Sequence, residues 1–262
     1  MEPGERADLE AAADFYAAVA EAGVGATSRV AGAVCGTVAA LRDNVMVNRV
    51  LGLGLERPAT EHDLAEVESF FERAGTRYSV SASPAASGLA ELLAGRGYQA
   101  GYAWMTFRRD LSPYEARSEL GLEEVDLGNA GEFARIVAGA YGMPADAEPA
   151  IALLAGRPGW HCFLTRDGDK PAGAGAMFVS GNGAWLGFAG TAADHRRKGS
   201  QGTILAARID RARELGVAVL ATETGERLPG RPSNSYRNLL RAGFREHHLR
   251  PNYGLATSQT VA

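Results

Sequence analysis

In the first half of the chain, apolar residues recur at helical spacing in three segments and gather into short strands between them. The helical segments cover residues 8 to 23, 60 to 75 and 87 to 97, and each closes on a glycine. Thr60 and Asp63, three residues apart, predict a capping box at the start of the second helix. Strands are predicted over 28–41, 45–55, 77–83 and 98–111, where apolar, β-branched and aromatic residues cluster.

The second half repeats this order of elements with different residues. Helices are predicted over 130–142, 200–216 and 233–243, and strands over 184–191, 217–223 and 244–249. Residues 161–179 predict a hairpin with its turn at Asp167 to Lys170, and 251–262 predict a frayed tail. We interpret the pattern as a tandem repeat, although any alternation of strands and helices has a similar appearance. The polar, proline-containing segment 108–121 places the boundary between domains 1–112 and 113–262.

Composition and charge restrict the classes of partner. The chain has 46% hydrophobic and 22% charged residues, as expected of a globular protein, and its net charge of -4 gives no basic field for nucleic acid. The segment from His195 to Lys198 is basic but short, which favours a small anion. Without a membrane-length apolar run or a signal peptide, the protein is expected in the cytoplasm. Cys35 and Cys162 are too few for a disulfide framework and lack metal-binding spacing.

The segment most indicative of chemistry joins a strand to a helix: the strand at 184–191 runs through ADHRRKGSQG into the helix at 200–216. The first N–H groups of a helix are unpaired and lie at the positive end of its dipole, so they favour anions. Gly199 and Gly202 allow close approach of a phosphate, and Arg196, Arg197 and Lys198 add positive charge. A diphosphate is therefore the predicted ligand. Neither the Walker pattern GxxxxGK[ST] nor the dinucleotide pattern GxGxxG is present here.

These residues resemble the GNAT superfamily of N-acetyltransferases, whose signature R/Q-x-x-G-x-G/A joins the fourth strand to the third helix and binds the diphosphate of coenzyme A. Here the signature runs from Arg196 through Gly199 to Gln201, so that a glutamine replaces the final Gly or Ala and Gly202 follows it. The segment from Thr191 to Arg196 corresponds to the family pattern V-x-P-x-x-R. The later helix that ends in Gly-Phe at 243–244 is also similar to the family.

The resemblance implies an α/β fold of two tandem acyl-CoA N-acyltransferase-like domains, each a mostly antiparallel sheet flanked by helices. It also implies transfer of an acetyl group from acetyl-CoA to an amine, without a metal. Backbone N–H groups at the end of the fourth strand would stabilise the oxyanion, and pantetheine would lie beside that strand with an asparagine amide as partner. The predicted coenzyme site comprises Ala189, Gly190, Thr191, Arg196, Arg197, Lys198, Gly199, Ser200, Gln201, Gly202, Asn234 and Asn238.

Two residues are candidates for proton transfer. Glu223, at the end of its strand, is the candidate general base, although a solvated strand end gives the same pattern. Tyr236 lies three residues before Leu239, the position where many family members carry the tyrosine that protonates the departing thiolate. Three residues are close to one helical turn, so Tyr236 is the candidate general acid; a half-buried aromatic residue is the alternative.

The first half has LERPATEHD where the loop belongs, without Arg-x-x-Gly or a glycine pair. We therefore predict that it is a degenerate domain that does not bind the coenzyme. The acceptor is predicted to be a small-molecule amine. Two alternatives are a non-catalytic protein that binds or senses acyl-CoA, and an interaction protein whose loop binds phosphate incidentally.

Overall fold

The computed structural model describes residues 1–116, 118–230 and 233–255. All strands in these ranges lie in one 11-stranded sheet. The first half supplies β1 (Gly25–Val30), β2 (Ala33–Val38), β3 (Arg49–Leu51), β4 (Ser79–Ser81) and β5 (Tyr98–Arg109). The second half supplies β6 (Gly121–Glu124), β7 (Trp160–Asp167), β8 (Lys170–Ser180), β9 (Gly183–Thr191), β10 (Val219–Gly225) and β11 (Arg245–Leu255).

Helices cover both faces of the sheet. They are α1 (Pro3–Glu21), α2 (Glu61–Ala74), α3 (Leu89–Gly95), α4 (Ala130–Ala140), α5 (Glu148–Ala152), α6 (Ser200–Glu214) and α7 (Asn234–Arg241). One apolar core under α1, α4 and α5 spans both halves. On the opposite face, α2 and α3 cover the first half, and α6 and α7 cover the second. None of the helices in the described ranges is long and apolar enough to cross a membrane.

Apart from β6 and α5 of the second half, the two halves have the same order of helices and strands, which confirms the predicted repeat. In each half antiparallel strands lead to one parallel pair, β3 with β4 and β9 with β10, and a helix connects the two strands of each pair. The sheet order is β1-β2-β3-β4-β11-β5-β10-β9-β8-β7-β6.

The last strand of each half is exchanged. β11 pairs with β4 of the first half, and β5 pairs with β10 of the second. The exchanged strands also pair with each other. The boundary at residue 112 falls between β5 and β6 and stays a prediction. Because of this exchange, the last strand of each half pairs with a strand of the other half.

Several elements that were predicted from short sequence patterns are confirmed by the structure. Thr60 and Asp63 form the predicted capping box, and Gly75 ends α2 in the left-handed conformation. The hairpin turn between β7 and β8 also lies as predicted. Both cysteines are free and buried.

Other predicted elements were wrong. β6 begins at the last residue of the segment assigned to the linker and was not predicted, and the strand predicted over 45–55 is only three residues long. The tail prediction is wrong for 251–255, because β11 continues to Leu255 in pairing with β5. Residues 256–262 of that predicted tail lie outside the described residues.

Candidate functional site

A groove opens where β9 and β10 diverge. The two strands pair in parallel only from Val219↔Gly183 to Thr222↔Leu186. Beyond this point β9 bulges, since Phe188 and Ala189 lie opposite the single residue Gly175 of β8. The facing backbone edges of β9 and β10 are thereby available to a ligand.

The bulge is held by packing on one face and by a buried cation. Phe188 has a positive φ of 47° and packs its ring near Phe15, Trp160 and Trp185. Arg208 of α6 is buried, and its Nη1 donates to the carbonyl oxygen of Ala176 at 3.0 Å. Burial lowers the pKa of Arg208 to about 10. Arg208 was not among the residues predicted from sequence, although a charge on the apolar face of α6 was a detectable signal.

Gly190 lies between two helices just past the bulge. A Cβ at this position would lie 2.5 Å from Cβ of Ala140 and 3.1 Å from the carbonyl oxygen of Ile136, so the end of α4 leaves room only for glycine. From α6, Nε2 of Gln201 donates to the Gly190 carbonyl oxygen at 2.8 Å and to Oγ1 of Thr191 at 3.1 Å. The predicted end-of-strand residues and Gln201 therefore lie together, as the sequence indicated.

The loop between β9 and α6 presents free positive groups. Gly199 is the N-cap of α6 at φ 89°, and no side chain caps the helix. Arg196 and Arg197 are exposed and form no ion pair with any described residue. Lys198 differs, since its Nζ lies 2.6 Å from Oδ2 of Asp167 and is partly neutralised. The helix start and the two guanidinium groups thus form a positively charged surface.

The remaining predicted coenzyme residues lie in different environments: two line a cavity, one is buried under α6 and one is exposed on α7. Gly202 and Asn238 line a cavity of about 210 Å³ with Gly199, Tyr114, Glu115, Ala116 and Arg241. Ser200 is buried and shares a hydrogen bond of 2.8 Å with Thr165, so its side chain serves the packing of α6 on the sheet. Asn234 is exposed on α7, accepts a hydrogen bond from Arg237 and does not line the cavity.

Glu223 occupies a buried ion-pair network at the groove. Arg49 Nη1 lies 2.8 Å from one carboxylate oxygen and Arg250 Nη2 lies 2.5 Å from the other; Arg250 also pairs with Asp8 of α1. Burial raises the pKa of Glu223, but the charges of Arg250 and Arg49 outweigh that effect, so the pKa is lowered. The carboxylate is therefore not a solvated strand end.

Tyr236 is buried on α7, where its ring packs edge-on against Phe107. Its hydroxyl donates to Oε1 of Glu246 at 2.5 Å. Burial and this hydrogen bond raise the pKa of Tyr236 to about 12, so the hydroxyl holds its proton at neutral pH. This position of Tyr236 agrees with the alternative given above, an aromatic residue that packs in the core. Its role as general acid stays a prediction.

Solved structures share this architecture. A GCN5-related N-acetyltransferase from Kribbella flavida aligns with a TM-score of 0.60 at 18% identity, covering 94% of this chain and 95% of that chain. A tandem GNAT protein from the clavulanic acid biosynthesis pathway aligns with a TM-score of 0.55 at 15% identity, covering 78% of this chain and 73% of that one. The chain has a GNAT fold.

A functionally unknown conserved protein from Staphylococcus epidermidis also aligns, with a TM-score of 0.57 at 11% identity, covering 87% of this chain and 93% of that one. No protein-family profile matches the sequence, and no curated protein matches it. Structural similarity at low sequence identity thus shows the GNAT fold alone.

The two GNAT-like halves differ at the corresponding helix start. In the first half Thr60 caps α2, and Asp63 accepts hydrogen bonds from the Thr60 amide and from both terminal nitrogens of Arg57. The hydrogen bond from Arg57 outweighs the effect of burial and lowers the pKa of Asp63. A carboxylate of the chain itself thus meets the amides and the guanidinium that a phosphate would need. The absence of a coenzyme site in the first half stays a prediction.

Tyr141 is a residue of this site that the sequence did not indicate. It follows α4 directly, about half of its surface is exposed, and its hydroxyl lies at the backbone amide of Ala189. Burial of the hydroxyl raises the pKa of Tyr141 despite that amide and the charge of Arg208. A tyrosine at a helix end has no periodic signal, so only the packing of α4 against β9 identifies it.

Proposed function

We propose that the chain is an acyl-CoA-dependent N-acyltransferase that moves an acetyl group from acetyl-CoA to a small-molecule amine. The observation that carries the proposal is the continuity of the site: the groove between β9 and β10 leads to the uncapped start of α6, beside Arg196 and Arg197. One end suits an extended arm with amide groups, and the other suits a diphosphate. The GNAT fold supports this use of the groove.

The residues of the chain have separable roles in the proposal. Acetyl-CoA supplies a thioester, whose C–S bond breaks as the amine forms the new C–N bond. The Ala189 amide, placed by the bulge, is proposed to donate to the carbonyl oxygen as it gains negative charge. Glu223 is proposed to accept the proton that the amine loses, and Tyr236 to give a proton to the thiolate. Arg196, Arg197 and the first amides of α6 are proposed to bind the diphosphate.

A non-catalytic acyl-CoA-binding protein is the second candidate, and the ion pairs of Glu223 favour it. A carboxylate that two arginines hold has a lowered pKa and is a weak base. Release of free thiol in the presence of a panel of amines separates the candidates: amine-dependent release supports the transferase, and binding without release supports the non-catalytic protein.

Acetyl-CoA is expected to raise the melting temperature of the protein, because a ligand that binds only the folded state stabilises it by mass action. At 100 times the dissociation constant the gain is about 2.7 kcal/mol, or roughly 5–10 °C for a chain of this size. Titration calorimetry is expected to give one site per chain, since Asp63 and Thr60 close the corresponding helix start. Two sites per chain would contradict the degenerate first half, and no shift would contradict the function.

Tyr236→Phe is expected to lower turnover at least about tenfold with acetyl-CoA binding intact, because one hydroxyl is lost with little change of shape. Tyr253→Phe, on β11, is the matched control and should leave turnover unchanged. The measurement requires conditions in which chemistry limits the rate. Equal turnover in wild type and Tyr236→Phe would mean that water protonates the thiolate.

A further inference from the structure

An aromatic pair lies beside Glu223 on the exchanged strand β5. Trp104 is the cross-strand partner of Gly225, which follows Glu223 by two residues in β10, so Trp104 and Glu223 lie on the same face of the sheet. The Tyr102 ring packs edge-on against Trp104, with the ring centroids 5.5 Å apart. Because Tyr102 is 36% exposed, a ligand from solvent can reach its ring.

Gly225 allows the Tyr102 hydroxyl to approach β10. A Cβ on Gly225 would lie only 1.4 Å from that hydroxyl oxygen, so any larger residue would displace the tyrosine ring. Burial raises the pKa of Tyr102, and the charges of Glu226 and Glu223 add to the increase. The hydroxyl therefore lies near both the candidate base and a second carboxylate.

The second carboxylate, Glu226, is the one without a counter-charge. Its Oε1 accepts a hydrogen bond from the Ala103 amide at 2.9 Å, and it forms no ion pair with any described residue. Glu223 pairs with two arginines, and Asp8 pairs with one of them, so the charges of that network balance. A cation over the Tyr102 ring would meet the negative face of the ring and the charge of Glu226.

The distance between the two carboxylates determines which acceptors fit. The Tyr102 hydroxyl lies over Gly225, two residues along β10 from Glu223, which corresponds to about 7 Å in a strand. An acceptor whose reacting nitrogen lies at Glu223 must therefore carry its second charge several bonds away. An alkyl ammonium group supplies such a charge, because a pKa of about 10.4, as in lysine, keeps it protonated at pH 7.

We propose that Tyr102, Trp104 and Glu226 form an acceptor site for a diamine, with one ammonium group held over the Tyr102 ring and against Glu226 while the other amine reaches Glu223. The inference rests on the proposed function for the reaction: the amine at Glu223 takes the acetyl group, and the coenzyme leaves as free thiol. The exchanged strand β5 thus selects the amine that the second half acetylates.

The experiment compares cadaverine with pentylamine, which has the same carbon chain without the second amine, by the release of free thiol from acetyl-CoA. In wild type, kcat/KM is expected to be at least about fivefold higher for cadaverine, because the site holds a charge that pentylamine lacks. Glu226→Gln removes the negative charge, and Tyr102→Leu removes the ring. Each is expected to lower the cadaverine-to-pentylamine ratio at least about twofold, and the double variant to bring it to about one.

Two further variants are the controls. Glu91 is exposed on α3, so Glu91→Gln changes the net charge as Glu226→Gln does and should leave the ratio at its wild-type value. Tyr102→Phe keeps the aromatic face and should retain most of the ratio, which separates the ring from the hydroxyl.

A wild-type ratio near one overturns the inference and leaves the proposed function standing, since both amines then serve as acceptors. A high ratio that persists in the double variant also overturns it, because the second charge would then be bound elsewhere. If Glu226→Gln lowers the ratio and Tyr102→Leu does not, the aromatic pair has no part and the inference is wrong. If other amines release thiol and these two do not, the inference fails alone; if no amine releases thiol, the proposed function fails with it.

Discussion

Glu223→Gln is expected to lower the free energy of unfolding by about 3–5 kcal/mol at pH 7. The substitution keeps the shape but removes the negative charge between two buried guanidinium groups, and breaking a buried pair from one side leaves an uncompensated charge. Asp8 still pairs with Arg250 in the variant, so the uncompensated charge is mainly that of Arg49. Urea denaturation of wild type and variant measures the difference.

Glu226→Gln is the matched control, one residue past β10. Oε1 of Glu226 accepts a hydrogen bond from the Ala103 amide, a role that a glutamine oxygen can fill, so a loss below about 1 kcal/mol is expected. A similarly small loss in Glu223→Gln would contradict the expectation that this substitution leaves Arg49 with an uncompensated buried charge.

The effect of Glu223 also has a defined pH dependence. Its pKa is lowered in the folded state from an ordinary value of 4.5, so its stabilisation is fully present above about pH 5. The stabilisation is lost as the pH falls through the lower folded-state pKa. The difference between wild type and Glu223→Gln should therefore be constant near neutral pH and shrink in acid. Burial raises the pKa of Asp8 and the charge of Arg250 lowers it, while the charge of Glu223 adds to the increase; Glu223→Gln removes that last contribution.

Gly199→Asp is expected to abolish the stabilisation by acetyl-CoA and to weaken coenzyme A binding at least about 100-fold. Gly199 is the N-cap of α6, where the free amides and Arg197 are proposed to meet the diphosphate. A like charge within about 4 Å costs on the order of 4 kcal/mol near a protein surface. Thermal shift and titration calorimetry measure the two effects.

Comparison with Gly199→Asn shows whether the charge or the size of the new side chain weakens coenzyme A binding. Asp and Asn both tolerate the positive φ of 89° better than other side chains and both cap helices well, so each variant should fold. Asparagine covers the amides without a negative charge and should weaken binding less. Equal binding by the two variants would contradict the assignment of an anion to this helix start.

The loop and its helix were predictable because their signals are local. Gly199 and the basic residues before it follow one another in the chain, and the helix behind them shows its own apolar period. The capping box of Thr60 and Asp63 is local in the same sense, so the contrast between the two halves was available from sequence. Even the departure at Gln201 was visible, but its hydrogen bonds to β9 were not, since they depend on how α6 sits on the sheet.

Tertiary structure alone decided how the halves combine and what surrounds Glu223. An alternating pattern indicates that a segment is a strand, but not which strand it joins, because backbone hydrogen bonding is the same for every partner. The exchange of β5 and β11 brings Arg250 beside Glu223, and Arg49 comes from β3 of the first half. The sequence thus determined a strand-loop-helix segment suited to a diphosphate. Only the tertiary structure decided the charges in the groove, because Arg49 and Glu223 lie 174 positions apart in the chain.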